Sequence, residues 1–254
     1  MSDPIDAAHD VVLSTVVSGV RFPFCAMNAT GWAATAEDVR ALRRSRTGAI
    51  VLRTVTTHPF VHPGFRALNN PGFDKLLPLV RDLVSIDDRP VVASIAGATI
   101  DEFGILAKAF ADAGATIIEA NLAEPWVAAM LAPFESEATM REIASRVAAA
   151  GPPCWIRLPE HVPVAYEPLV AVLHEAGVRG IVAHHDFHGF EKLLLEVPAA
   201  IDVVVSGGIT TGYEIATVLR KGAKAVQVDT ALRTEGPAVF ARLEREMRRL
   251  AEQE

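Results

Sequence analysis

Short apolar runs alternate with longer amphipathic stretches along the chain. Runs rich in Val, Ile and Ala fall at residues 24–28, 49–53, 91–95, 117–121, 154–158, 180–183, 203–206 and 225–228, each bounded by Gly, Pro or Asn. Continuous apolar runs of this kind suit parallel strands covered on both faces. The stretches between them carry helix end signals. Residues 35–46 open on Thr35-Ala-Glu37-Asp38, a cap followed by acidic residues in the first turn. Residues 99–113 stop at Gly114, 137–150 at Gly151-Pro152-Pro153, 167–176 at Gly177 and 211–221 at Gly222. Residues 237–252 start on Pro237 and repeat Glu and Arg.

Strict alternation of strands and helices favours parallel βαβ units over hairpins. The predicted fold is α/β, a single (β/α)8 TIM barrel spanning 1–254 with a short lead-in over 1–21. Residues 11–21 of that lead-in are expected to form a small hairpin plugging the barrel floor. A doubly wound open sheet is the alternative. The length of 254 residues favours the barrel, because a bare eightfold barrel needs roughly 250.

Composition narrows the function classes. With 50% apolar and 22% charged residues, the chain can build a large core. The net charge of -7 argues against nucleic acid and against an anionic membrane surface as partners. No apolar run reaches the roughly 20 residues of a membrane span, and the polar, acidic start is neither a signal nor a transit peptide. Cys25 and Cys154 lie in apolar runs without metal-ligand spacing, so two buried, reduced thiols and a cytoplasmic location are expected.

Ligands of such a barrel bind where strands end and the following loops begin. The strand ends here offer Asn28-Ala29-Thr30-Gly31, Arg53-Thr54, Glu119 and Asn121, Arg157, His184-His185-Asp186, Ser206-Gly207-Gly208 and Asp229-Thr230. Gly207 and Gly208 open a helix, and backbone N–H groups there, with the positive helix end, are expected to hold a phosphate or carboxylate. Arg53 and Arg157 each end a strand, and each needs an anion: a ligand group, or Glu119, Glu124 or Asp229. Glu124 beside Trp126 is a candidate acid or base, and His185 is another. The run His184-His185-Asp186-Phe187-His188 is rich in ligand types, but adjacent strand residues point oppositely and no second His/Cys set matches it. Pocket lining is therefore expected there, and no metal.

These motifs resemble the dihydroorotate dehydrogenase family, FMN-dependent (β/α)8 enzymes, over most of the chain. Phe24-Cys-Ala-Met-Asn28-Ala-Thr-Gly31 is similar to the family's opening Asn-Ala-Ser-Gly loop. Ser206-Gly-Gly-Ile-Thr-Thr-Gly212 and Gln227-Val-Asp-Thr-Ala-Leu232 are similar to its phosphate corner. Gly48–Thr56, Asn70-Pro-Gly-Phe-Asp74, Ser94-Ile-Ala-Gly97, Ile118-Glu-Ala-Asn121 and Glu235-Gly-Pro-Ala-Val-Phe240 extend the likeness. The resemblance implies FMN as cofactor, with Ala29, Thr30, Gly31, Arg53, Thr54, Asn121, Arg157, Gly207, Gly208 and Thr230 as its binding residues.

The departures concern chemistry. Arg53 and Arg157 stand where the family has lysines, Glu124 where it has a catalytic Cys or Ser, and Trp126 where it has a substrate-binding Asn. The substrate loop keeps only Leu68 and Asn70 of its pattern. Asp229 replaces the glycine beside the flavin phosphate, so Asp229 and Arg157 both count against FMN. The long insertion after strand six, which covers the substrate, is missing. The expected function is an FMN-dependent oxidoreductase acting on a small anionic substrate other than dihydroorotate, with Glu124, Arg53 and His185 as catalytic candidates. A flavin-free lyase or isomerase and a non-catalytic partner subunit, each binding a phosphorylated or carboxylated ligand, are the alternatives. A homodimer or a subunit of a complex is the expected assembly.

Overall fold

The computed structural model describes residues 13–61, 69–123, 136–159, 166–186 and 189–253. Among them, eight strands form one parallel sheet: β3 (Ala26–Asn28), β4 (Ile50–Val51), β5 (Val91–Ile95), β6 (Ile117–Asn121), β7 (Cys154–Arg157), β8 (Val178–His184), β9 (Asp202–Ser206) and β10 (Ala225–Val228). Their spatial order is β3-β10-β9-β8-β7-β6-β5-β4. Helices cover the outside: α1 (Ala36–Arg43), α2 (Leu77–Ile86), α3 (Ile100–Asp112), α4 (Glu137–Ala148), α5 (Tyr166–Glu175), α6 (Phe190–Glu196), α7 (Gly212–Arg220), α8 (Thr230–Glu235) and α9 (Val239–Ala251). This is the predicted TIM barrel, nearly closed.

The seam between β3 and β4 departs from a regular ladder. β4 has only two residues, shorter than the predicted 49–53, and the Asn28 side chain stands in for a neighbouring strand. Its amide donates to the Val51 carbonyl at 2.6 Å and accepts from the Val51 N–H at 3.0 Å. One turn earlier the Gly48 N–H donates to the Ala26 carbonyl at 2.8 Å. A Cβ on Gly48 would fall 1.7 Å from the Phe24 carbonyl oxygen, so only glycine lets the two strands approach. An Asn at the end of β3 thus closes the barrel, a role hidden in sequence because the same residue opens a ligand-type motif.

The floor is plugged as expected. β1 (Thr15–Val17) and β2 (Val20–Phe22) form an antiparallel hairpin, starting four residues later and ending one residue beyond the predicted 11–21. Phe22 stacks on Trp155 with ring centroids 6.2 Å apart and planes 14° from parallel. The Trp155 Nε1–H donates to Ser18 Oγ at 2.9 Å, and the Ser18 hydroxyl donates to the Arg179 carbonyl at 2.9 Å. A Cβ on Gly180 would lie 2.4 Å from Trp155 Cδ1, so that glycine makes room for the indole. Val17, Phe22, Met27, Val51, Val92, Ile117, Trp155, Val182, Val204 and Ala225 form one buried apolar cluster inside the barrel.

Outside the barrel, α1, α3 and α7 are capped by the side chains of Thr35, Thr99 and Thr211. Thr35 and Asp38 form a reciprocal capping box on α1. The helix ends at Arg43, short of the predicted 46. The Arg89 guanidinium donates to the carbonyls of Arg43, Ser45 and Thr47 there, at 2.7, 3.1 and 3.2 Å. Arg89 also pairs with Asp87 at 2.6 Å. Burial alone would raise the Asp87 carboxyl, but hydrogen bonds from Arg89 and the charges of Arg89 and Arg43 hold it below its ordinary value. Cys25 and Cys154 are buried free thiols, each pushed up to about 12 by burial. Among the described residues, no helix is long and apolar enough to cross a membrane.

Candidate functional site at the barrel mouth

Successive residues of a strand face opposite sides, so the residue two positions after each floor residue also points inward. At the mouth these upper residues are polar. Ser94, Glu119, Ser206 and Gln227 are buried, and Arg157 is nearly so. Glu119, fully enclosed, accepts hydrogen bonds from Ser94 Oγ at 3.1 Å, Arg157 Nε at 3.1 Å and Gln227 Nε2 at 2.9 Å. The rest of the Arg157 guanidinium donates to Ser206 Oγ at 3.0 Å and to Gln227 Oε1. Ser94 Oγ lies 2.9 Å from Thr54 Oγ1, which lies 2.8 Å from Thr30 Oγ1 and accepts from Asn121 Nδ2 at 2.8 Å. One hydrogen-bonded network therefore ties together strands β4 to β7, β9 and β10. A buried charge so fully partnered is tolerable, whereas the same charge alone costs several kcal/mol, of the order of 3–5.

Above this network is a cavity of about 500 Å³. Ala29, Thr30 and Gly31 form one wall, Gly207, Gly208 and Thr210 another, and Arg157, His184, His185, Asp229, Thr230 and Arg233 complete it. Gly207 and Gly208 adopt φ of 74° and 64°, the left-handed region that favours glycine. Among the described residues nothing accepts their N–H groups. This is the geometry of an anion seat.

The expected help from the helix that follows is absent. The Glu214 carboxylate accepts from the N–H groups of Thr210 and Thr211 at 2.7 and 2.9 Å, and Thr211 completes a capping box with it. The Glu246 carboxylate accepts from the Gly212 N–H at 2.7 Å. The positive end of α7 is thus already satisfied by two protein carboxylates. Although burial would raise the Glu214 carboxyl, hydrogen bonds from Thr210 and Thr211 hold it below its ordinary value. The sequence signal for this was present: Thr211-Gly-Tyr-Glu214 has capping-box spacing.

The sequence-predicted site residues separate into groups. Ala29, Thr30, Gly31, Arg157, His185, Gly207, Gly208 and Thr230 line the cavity together. Thr54 and Asn121 lie buried in the network beneath it. Arg53 follows β4, is half-buried, and is not a lining residue of this cavity; its N–H donates to the Ala33 carbonyl at 3.0 Å. Asn70 is spent on its own loop, its carbonyl oxygen accepting from the Thr56 N–H, the Thr56 hydroxyl and the Gly72 N–H at 3.3, 3.0 and 3.1 Å. Glu124, Trp126 and the loop from 62 to 68 lie outside the described residues.

Sequence reasoning missed Arg233. It lies one helical turn after Asp229 and pairs with it at 2.9 Å, in the last turn of α8. Its guanidinium reaches the opposite wall, where a Cβ on Gly31 would approach it to 2.8 Å. The four-residue spacing from Asp229 was the available signal. Arg233 offsets the carboxylate that stands where a glycine was expected, so Asp229 does not face a ligand as a bare charge.

An eight-stranded parallel barrel with a polar upper layer and a cavity beside the glycines after its seventh barrel strand defines a TIM-barrel protein with a candidate ligand site at its mouth. In sequence the chain is similar to curated dihydroorotate dehydrogenases. It is 26% identical to "Dihydroorotate dehydrogenase (fumarate)" of Trypanosoma cruzi, covering 87% of each chain. It is 25% identical to a "Putative dihydroorotate dehydrogenase A (fumarate)" of Streptococcus agalactiae, covering 94% of each. No family model matches the chain. In fold it is similar to a ligand-free DHODH from Eimeria tenella, with a TM-score of 0.79 over 96% of this chain and 89% of that one, at 15% identity.

Proposed function

We propose that the chain is an FMN-dependent oxidoreductase acting on a small anionic substrate other than dihydroorotate. The observation that carries this is the pair of N–H groups of Gly207 and Gly208, which nothing among the described residues accepts, at a cavity of about 500 Å³ in the mouth of a barrel similar to the dihydroorotate dehydrogenases. A cavity of that size lies within the usual range for small-molecule sites, roughly 300–1,000 Å³.

The residues present fit FMN. Gly207, Gly208, Thr230 and Arg233 would hold its phosphate, and Arg157 would stand at the cavity wall beside the remainder. FMN supplies hydride-accepting chemistry when bound. The protein's own contribution is positioning. Glu119, Ser206 and Gln227 fix the Arg157 guanidinium in one orientation, and Glu119 neutralises it. Glu124 remains the candidate for proton transfer.

The departure from dihydroorotate rests on the site's changed chemistry. Glu124 and Trp126 stand at the base and substrate positions of the related enzymes, and the Asn70 carbonyl is engaged by Thr56 and Gly72. The absorbance spectrum of the purified protein, with mass analysis of any released ligand, tests the cofactor. A flavin spectrum is expected, natively or after FMN addition. A colourless protein that takes up no FMN contradicts the proposal. Anaerobic mixing with dihydroorotate is expected to leave the flavin oxidised, and bleaching would contradict the substrate reading.

A further inference from the structure

We propose that His184, His185 and Asp186 hold a divalent transition-metal ion at the rim of the cavity, where it supplies positive charge to an anion seated on Gly207 and Gly208. The alternation that separates adjacent strand residues ends at His184, the last residue of β8. His185 and Asp186 lie in the turn beyond, and the two imidazoles come onto the same side, with centroids 4.7 Å apart. Phe187 and His188 lie outside the described residues. His185 Nε2 is 2.9 Å from one Asp186 carboxylate oxygen, and His184 Nδ1 is 3.7 Å from the other. One ligand atom from each of the three residues lies within 4.8 Å of the others. The Asp186 N–H donates to His184 Nδ1 at a long 3.3 Å, a weak competitor for that lone pair.

A second, independent observation is how the rings are seated. A Cβ on Gly207 would fall 1.9 Å from His184 Nε2, and one on Gly208 would fall 2.7 Å from His185 Nδ1. The two glycines of the anion seat therefore also make the seats for the two imidazoles, and orient them before any ion arrives. Two imidazole nitrogens and one carboxylate oxygen suit a borderline ion such as Zn²⁺, Fe²⁺ or Co²⁺, with coordination positions left open toward the cavity.

The electrostatics of the corner give the ion a purpose. Arg157 is balanced by Glu119 and Arg233 by Asp229, while Glu214 and Glu246 occupy the N-terminus of α7. The fixed charges that would attract an anion are cancelled in pairs. A divalent ion on the rim adds net positive charge that strengthens phosphate or carboxylate binding there.

Titration of the flavin-free protein with Co²⁺, followed by visible absorption and calorimetry, tests the site. One site is expected. His185→Ala and Asp186→Ala are both changes at exposed positions. Each is expected to weaken binding on the order of tenfold or more, while His58→Ala, exposed elsewhere, leaves it unchanged. Inorganic phosphate is expected to bind more tightly with the metal present. No Co²⁺ binding, or equal binding in wild type and both site variants, overturns the site. Equal phosphate affinity with and without metal overturns the role assigned to it. These readouts need no flavin, so failure of the cofactor reading and failure of the metal site are distinguishable.

Discussion

On β5 the inward residue near the floor is Val92, and the next inward residue is Ser94. The same step leads from Ile117 to Glu119, from Trp155 to Arg157, from Val204 to Ser206 and from Ala225 to Gln227. The lower members form one apolar cluster with the hairpin plug, and their polar counterparts above form one hydrogen-bonded network. Two residues of strand cover only about 6.6 Å. Over that short rise the barrel interior changes from a region held by shape to one held by directional bonds. A floor residue can be replaced by another of similar volume at modest cost, whereas a mouth residue is replaceable only together with its partners.

The largest expected effect breaks the mouth from within. Arg157→Met leaves the buried Glu119 side chain without its cation and short of a donor, and is expected to cost about 3–5 kcal/mol of unfolding free energy in urea denaturation. The double variant Arg157→Met with Glu119→Leu is expected to be more stable than Arg157→Met alone. If the double variant is the less stable one, the ion pair does not govern this layer.

At the floor, Phe22→Ala removes the ring stacked on Trp155 and is expected to cost about 3–5 kcal/mol, with ligand affinity of the folded fraction unchanged. A loss of ligand affinity equal to that of a mouth variant would erase the distinction between the two layers.

Acid sharpens the contrast by a smaller amount. The Asp87 carboxyl, near the strand starts, and the Glu214 carboxyl, at the mouth end of α7, both lie below their ordinary values of 3.8 and 4.5 in the fold. A depressed folded value means the unfolded chain binds the proton more readily, so the stabilisation is present above the ordinary carboxylate range. It is lost as pH falls through that range toward the folded values. Asp87→Asn and Glu214→Gln are each expected to flatten the fall of the urea midpoint between pH 5 and pH 3, stated as an approximate window. An unchanged slope in both variants contradicts the assigned pairings. The smallest effect is chemical silence: Cys25 and Cys154, pushed up to about 12, are expected to resist a thiol reagent at neutral pH until the chain unfolds.

Much of this two-layer plan was legible in the chain. The apolar runs gave the strands, and the polar residues at their C-terminal ends marked the mouth. The lead-in gave the plug, with the hairpin starting four residues later than its pattern predicts. Three features were not legible, each because a local pattern serves a distant partner. Asn28 looks like the start of a ligand loop and instead completes the β3–β4 seam. Arg157 reads as a cation in need of an anion, with Glu119 among the candidates, but its further hold by Ser206 and Gln227 was not legible because they lie far apart in sequence. The Gly207-Gly208 loop reads as phosphate seat plus helix dipole, but Glu246, from the last helix, takes one of the N–H groups that the dipole argument assumed free. The two glycines read from sequence as a place where an anion comes close. What approaches them in the fold includes the rings of His184 and His185.

The central claim, that the mouth and not the floor receives an anionic mononucleotide, is tested most directly by thermal melting with and without FMN. Wild type and the floor variant Val17→Ala are expected to gain the same increase in Tm, as binding to the folded state alone requires. Gly208→Val, which forces a branched side chain into a left-handed position against the His185 ring, is expected to lose that increase. No increase in wild type, or a full increase retained in Gly208→Val, would contradict the account.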